Sequence, residues 1–316
     1  MFTIKQPSKI VYGKYTASKN NFPENCLLIT SKGAHTRGWI DYIKLKNNFI
    51  FDQVENNPSI ETTKNIVSKF SNKHISKIIG LGGGSVLDVA KYCGHKMNKE
   101  KILIPTTFGS GSEVTRISVL KVNGKKQSFH DDRLFANMAI IDSHFIDNTP
   151  EDVFKNSFVD ALAQCSEGYD SKLGNKYTKF LCKKAFDYLE KGFINQKKDD
   201  IVLGSLLSGI GFGNCSTTLG HALSYVFSNE GISHGHALAF TTTVSHKFNN
   251  SIFFKRFQNL IKKLNFETIQ LKLNLDDASQ LIFKDRKHLD NNPRSILKQD
   301  IVGLLDIINS GKSLDQ

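Results

Sequence analysis

Ile75-Ser-Lys-Ile-Ile79, then Gly80-Leu-Gly-Gly-Gly84-Ser85, then Val86-Leu-Asp-Val-Ala-Lys91 is the stretch that decides the fold. A short apolar run with strand character ends in a glycine-rich turn, and the chain restarts as a helix. Backbone amides at such a helix start point at an anion, for example a pyrophosphate, and a Cβ would block its close approach. On its own the turn also fits any tight strand-to-helix connection. A second segment strengthens the nucleotide reading. Pro105-Thr-Thr-Phe-Gly-Ser-Gly-Ser-Glu113-Val-Thr115 follows the next apolar run, Leu103-Ile104, and supplies hydroxyls and further glycines. Two loops of this kind at successive strand ends describe a dinucleotide crevice.

Outward from this stretch the first half alternates short apolar runs with helix-like segments. Cys26–Thr30 and Phe49–Phe51 read as strands, and helices are expected over 34–46 and 59–71. Ile117–Val122 and Met138–Ile141 read as further strands flanking a Gly-Lys-Lys turn. This alternation predicts a parallel sheet with covering helices. Beyond Pro150 helical periodicity takes over, with helices expected near 151–168, 173–190, 199–213, 217–228 and 236–248. The expected organisation is therefore an α/β Rossmann-like nucleotide domain over 1–148 and an all-helical domain over 149–316.

Composition narrows the class. With 316 residues and 39% hydrophobic content, the chain has enough apolar mass for one or two cored domains. No stretch approaches the roughly 20 apolar residues of a membrane span, and the first residues lack the apolar core of a signal peptide, so a cytoplasmic protein is expected. The five cysteines show no Cys-x-x-Cys spacing, which argues against a disulfide framework or a cysteine zinc site. Lysine and arginine exceed acids by 42 to 30, a balance compatible with nucleic acid, an anionic surface or a small anionic substrate, while the scatter of the lysines fits a general lysine-rich composition equally well.

Gly82-Gly-Gly-Ser-x-x-Asp88-x-Ala-Lys91, the 105–115 loop, Asp160-Ala-Leu162, Gly220-His221, His234-Gly235 and Asn292-Pro-Arg294 occur in an order and spacing that resemble the iron-containing (group III) alcohol dehydrogenases over about 30–295. The resemblance implies an NAD(P)-binding first domain, a helical metal-binding second domain of the dehydroquinate synthase type, and an active site in the cleft between them. It places Ser31, Gly82, Gly83, Gly84, Ser85, Asp88, Thr106, Thr107, Ser110, Ser112 and Lys126 at the cofactor. It places a divalent metal, iron or zinc, on Asp160, Gln164, His221 and His234. In the family the position of Gln164 carries a histidine. An amide oxygen is a weaker ligand, and Asp160, His221 and His234 alone make the three-ligand, open-position pattern of catalytic sites.

Tyr225, a turn after His221, stands where many members carry another histidine, as a possible proton relay. The His221–His234 spacing is one residue shorter than the family's, and the chain is shorter at its C-terminus, which leaves the last helices of the second domain in question. His236 and His246 are the alternative imidazoles. The implied chemistry is reduction of a small aldehyde by NADP(H) or NAD(H). The phrases Asp160-Ala-Leu-Ala-Gln-Cys-x-Glu167 and Gly220-His-Ala-Leu-Ser-Tyr225 resemble most the phosphonoacetaldehyde reductases of phosphonate biosynthesis, with Arg116 as a candidate reader of the anion and a homodimer as the expected assembly. Other alcohol or polyol phosphate dehydrogenases of the superfamily, and a non-catalytic relative, are the competing expectations.

Overall fold

The computed structural model describes residues 1–314. It divides into two compact units, Ile4–Thr149 and the chain from Pro150 onward, the latter joined by Met1–Thr3.

The first unit is built on a six-stranded parallel sheet. In chain order it comprises β1 (Lys9–Tyr12), α1 (Thr16–Lys19), β2 (Leu27–Ile29), α2 (Gly33–Thr36), α3 (Trp39–Tyr42), β3 (Phe49–Phe51), α4 (Ile60–Phe70), β4 (Ile78–Gly82), α5 (Gly84–Lys96) and β5 (Lys101–Pro105). A hairpin, β6 (Ile117–Val122) and β7 (Lys125–His130), precedes the last strand, β8 (Met138–Ile141). The sheet order is β1-β8-β5-β4-β2-β3. After β3 the chain crosses from one side of β2 to the other, so the order reverses between β2 and β4, where an open α/β sheet takes its ligand. Strands β2, β4 and β5 are buried along their whole length, as expected of strands covered on both faces. Gly80 is required by packing, because a Cβ there would lie 2.7 Å from that of Ala90 on α5.

Two expectations are corrected here. The helix over 34–46 is instead two single turns, α2 and α3, because Gly38 between them takes a left-handed φ of 65°. The Gly124-Lys125-Lys126 turn joins β6 to β7, not to Met138–Ile141, and β8 enters the main sheet between β5 and β1.

The second unit is helical: α6 (Glu151–Asp170), α7 (Lys176–Ile194), α8 (Lys198–Gly213), α9 (Leu219–Asn229), α10 (His234–Asn249), α11 (Phe254–Leu264), α12 (Leu275–Phe283), α13 (Arg286–Asn291) and α14 (Lys298–Asn309). Four of these helices, α11 to α14, follow α10. Asn175 caps α7, accepting from the backbone amides of Tyr177 and Thr178 while Thr178 Oγ1 accepts from the Asn175 amide. Among the described residues no helix is long and apolar enough to cross a membrane.

Candidate metal centre and cofactor loops

The candidate metal centre is assembled by three helices of the second unit. On α6 the spacing of Asp160, Gln164 and Glu167 sets all three on one face. His221 lies in the first turn of α9, and His234 opens α10. Asp160 Oδ1 stands 3.8 Å from His221 Nε2 and 3.9 Å from His234 Nε2, and one ligand atom from each of the three lies within 4.8 Å of the others. Two ligands on one tetrahedral ion with bonds near 2.1 Å are separated by roughly 3.4 Å, so small side-chain movements close the set around a divalent cation.

Glu167, which the sequence reading left without a role, is the keystone of this cluster. It is 1% exposed, and its carboxylate accepts from the backbone N–H of Thr218, the N–H of Gly220 and His221 Nδ1. With Nδ1 committed to Glu167, His221 turns Nε2 toward Asp160. Such a carboxylate behind a ligating histidine fixes ring orientation and raises its basicity. Burial works against the carboxylate, yet the adjacent His221 imidazole prevails and holds it down at about 2. Burial likewise lowers the affinity of His221 for a proton, but Glu167 and Asp160 outweigh it and push the imidazole up to about 9. Gly220 is needed for the clamp, since a Cβ would fall 2.5 Å from Glu167 Oε1. The signal was available in the sequence: Glu167 falls seven residues, two helical turns, after Asp160.

Gln164 lies beside Asp160, and its Nε2 donates to Asp160 Oδ1 at 2.8 Å, a bond that orients the carboxylate. Tyr225 lies with its ring nearly parallel to that of His234, centroids 6.3 Å apart. A further buried imidazole, His288 on α13, was not anticipated. Its ring centroid is 5.8 Å from Tyr225 and 6.5 Å from His221, and Nδ1 bonds Asp285 at 2.7 Å. No spacing rule links α13 to α9, and only the tertiary fold brings them together. His236 and His246 do not join the cluster. The former bonds the Glu267 carbonyl and the latter Ser166 Oγ, and burial pushes His246 down to about 4.

In the first unit the two glycine- and hydroxyl-rich loops meet. A Cβ on Gly83 would lie 3.0 Å from Thr107 Oγ1, and one on Gly84 2.9 Å from Ser110 Oγ, so bare backbone on one loop faces hydroxyls on the other. Helix α5 begins at Gly84 with no side-chain cap, which leaves its first amides directed at this space. Gly83, Gly84, Ser85, Thr107 and Ser110 are partly accessible, as is Ser31 just after β2.

The remaining residues expected at the cofactor divide differently. Gly82, Thr106, Asp88 and Ser112 are buried and hold the loops in place. The Thr106 amide donates to the Gly82 carbonyl. Asp88 accepts from Ser112 Oγ at 2.6 Å and the Val119 amide at 2.9 Å, and pairs with the fully buried Lys91 at 3.0 Å. Asp88 thus clips the second loop to α5. Lys126 sits on the exposed strand β7 opposite Lys121. Arg116, a candidate anion reader, is bonded to Asp132 at 2.8 Å in an exposed ion pair.

Two family models match consecutive parts of the chain: iron-containing alcohol dehydrogenase over residues 7–143, and the C-terminal region of the same family over 155–284. The chain belongs to the iron-containing alcohol dehydrogenase family. It is similar to the 4-hydroxybutyrate dehydrogenase of Clostridium kluyveri, with 36% identity over 209 residues, 57% of this chain and 56% of that protein. It is also similar to the sulfoacetaldehyde reductase of Bilophila wadsworthia, with 28% identity over 229 residues, 63% of this chain and 59% of that one. The matched stretches thus span little more than half the length of either relative. Among solved structures, that of a sulfoacetaldehyde reductase from Bifidobacterium kashiwanohense in complex with NAD+ shares the fold with a TM-score of 0.85 at 22% identity, covering 98% of this chain and 99% of that one.

Proposed function

We propose that this iron-type dehydrogenase is a metal-dependent, NAD(P)H-linked reductase of a small aldehyde carrying an anionic head group. The convergence of Asp160, His221 and His234 beside the buried Glu167 carries the reading. When bound, a divalent cation polarises a carbonyl oxygen and a nicotinamide supplies hydride to the carbonyl carbon. One carboxylate and two imidazoles suit iron or zinc better than magnesium or calcium, which favour oxygen ligands. Asp160, His221 and His234 hold that ion, Glu167 aims His221 Nε2, and Gln164 steadies the Asp160 carboxylate. Tyr225 and His288 wall the same pocket with two further polar rings.

The relatives named for 4-hydroxybutyrate and sulfoacetaldehyde both concern small molecules with an anion at the far end, which supports the head-group part of the reading. Phosphonoacetaldehyde, suggested by residue phrases alone, is one member of that class. For the cofactor, the residues after β2 are Thr30-Ser31-Lys32, with no acid to repel a 2′-phosphate. NADP(H) is therefore expected to serve at least as well as NAD(H). The test is oxidation of each reduced cofactor by the metal-loaded protein over 4-oxobutanoate, sulfoacetaldehyde, phosphonoacetaldehyde and propanal. An anion site contributes charge-assisted bonds of roughly 1.5–3 kcal/mol each, so kcat/KM for the best anionic aldehyde should exceed that for propanal by about two orders of magnitude. Equal rates with propanal overturn the head-group reading, and no turnover with any aldehyde overturns the reductase.

A further inference from the structure

Two of the five cysteines crowd the same glycine, Gly168. Cys182 on α7 is wholly buried, and Cys215, two residues past the end of α8, is 2% exposed. The Cys182 thiol hydrogen-bonds the Cys215 sulfur. Two glycines on neighbouring helices make the room. A Cβ on Gly168 of α6 would lie 3.0 Å from Cys182 Sγ and 3.3 Å from Cys215 Sγ, and one on Gly211 of α8 would lie 2.7 Å from Cys182 Sγ. Cys215 Sγ also lies 3.3 Å from the Gly168 and Gly211 carbonyls. Cys93 and Cys165 reach backbone carbonyls, and Cys26 a carbonyl and the Ser76 hydroxyl.

The segment carrying Cys215 is strained and tied to the metal centre. Ser216 takes a φ of 64°, a left-handed conformation that costs a non-glycine residue roughly 1–2 kcal/mol. The Cys215 carbonyl accepts from Ser171 Oγ and Asn291 Nδ2, and Asn291 Nδ2 also reaches the Thr217 carbonyl. The next amide, Thr218 N–H, donates to Glu167, the carboxylate that orients His221. Between Cys215 and the clamp lie only Ser216 and Thr217. A covalent pull on Cys215 toward α7 therefore reaches the start of α9.

We propose that Cys182 and Cys215 form a reversible disulfide under hydroperoxide, and that its closure loosens the Glu167–His221 clamp and releases metal. The chemistry balances with a hydroperoxide as the oxidant. Cys215 sulfur attacks the O–O bond, giving a sulfenic acid and an alcohol, and Cys182 sulfur then displaces the hydroxyl, forming the S–S bond and releasing one water. Cys215, at the strained turn beside Ser216, is the sulfur placed to meet the oxidant first, and its hydrogen bond with Cys182 holds its thiol below the ordinary value despite burial. Local opening of the strained turn gives the oxidant access.

This inference rests on the metal-centre reading, and its first readout is independent of it. The metal-loaded protein is treated with tert-butyl hydroperoxide, then digested without reductant and analysed by mass spectrometry. One linked peptide pair joining Cys182 to Cys215 is expected, lost on treatment with dithiothreitol. In parallel the fraction of metal retained against a competing chelator should fall about tenfold on oxidation and recover on reduction. Cys215→Ser and Cys182→Ala should keep their metal through the same treatment. Absence of the Cys182–Cys215 peptide overturns the disulfide whatever the protein catalyses. A disulfide that leaves metal retention unchanged overturns the switch.

Discussion

Replacing Glu167 by alanine tests the construction of the metal centre directly. The side chain is 1% exposed and accepts three hydrogen bonds, from Thr218 N–H, Gly220 N–H and His221 Nδ1. Its removal leaves three buried donors without an acceptor, at roughly 1–3 kcal/mol each, less whatever water entering the vacated space restores. A loss of about 4 kcal/mol is expected, measured as urea unfolding of the metal-free protein followed by far-ultraviolet circular dichroism. The same change frees the His221 ring to rotate about χ2. Loss of such an orienting carboxylate lowers metal affinity about 10–100-fold, read by competition with a fluorescent chelator. Glu167→Gln supplies one acceptor oxygen for three donors and turns an N–H₂ toward the others, so it should fall between wild type and alanine in both measurements. An alanine variant within about 0.5 kcal/mol of wild type, binding metal equally well, refutes the clamp.

The other predictions separate the two units and probe single side chains. His221→Ala and His234→Ala should abolish metal retention while leaving NAD(P)H binding within a few-fold of wild type, measured by cofactor fluorescence. Loss of both functions together refutes the assignment. Gln164→Ala removes the donor to Asp160 and should weaken metal binding about tenfold, or about 1.4 kcal/mol, whereas Gln164→His should bind at least as tightly as wild type. In the first unit, burial raises the Glu113 carboxyl to about 7 despite the nearby Lys91. A folded value above the unfolded one means the stability it contributes is full below about pH 4.5 and is lost as the pH rises through 7, a change of up to about 3 kcal/mol. Unfolding midpoints should therefore fall between pH 5 and 8 in wild type, and Glu113→Gln should flatten that slope. An unchanged slope in the variant assigns it to other groups.

The sequence was most informative where a residue's role depends on its chain neighbours. The run from Ile75 to Lys91 declares strand, turn and helix because apolar periodicity and glycine placement are local properties, and β4 and α5 occupy that stretch. Helices α6 to α10 were legible for the same reason. Local periodicity failed at 34–46, where Gly38 adopts a left-handed conformation that an apolar pattern does not report. It also failed to separate Asp88 and Ser112 from the loop residues that stay accessible. Both kinds of residue lie in one motif, and only burial shows that Asp88 spends its oxygens on Ser112, Val119 and Lys91. Glu167 and His288 mark the limit from the other side. Helical spacing puts Glu167 on the Asp160 face but does not name His221 as its partner, and His288 comes within 6.5 Å of His221 only through the tertiary fold.

Gln164 shows what such tertiary information adds to a ligand pattern. Taken from spacing alone, an amide four residues after Asp160 is a defective histidine. Its Nε2 bond to Asp160 Oδ1 gives it another task, because a carboxylate bound to one partner at 2.8 Å loses rotational freedom before any ion arrives. The proposed ligand set of one carboxylate and two imidazoles would leave a position open on a four-coordinate ion. A weak ligand would draw that position into the protein, whereas a donor to Asp160 leaves it open. The two descriptions differ in the cobalt-loaded protein under Gln164→Ala. If the amide oxygen is a ligand, its removal changes the coordination of the ion and shifts the d–d absorption bands; if the amide only donates to Asp160, the bands keep their positions while affinity falls about tenfold. Unshifted bands with weakened binding support the donor role, and a changed band pattern supports the ligand.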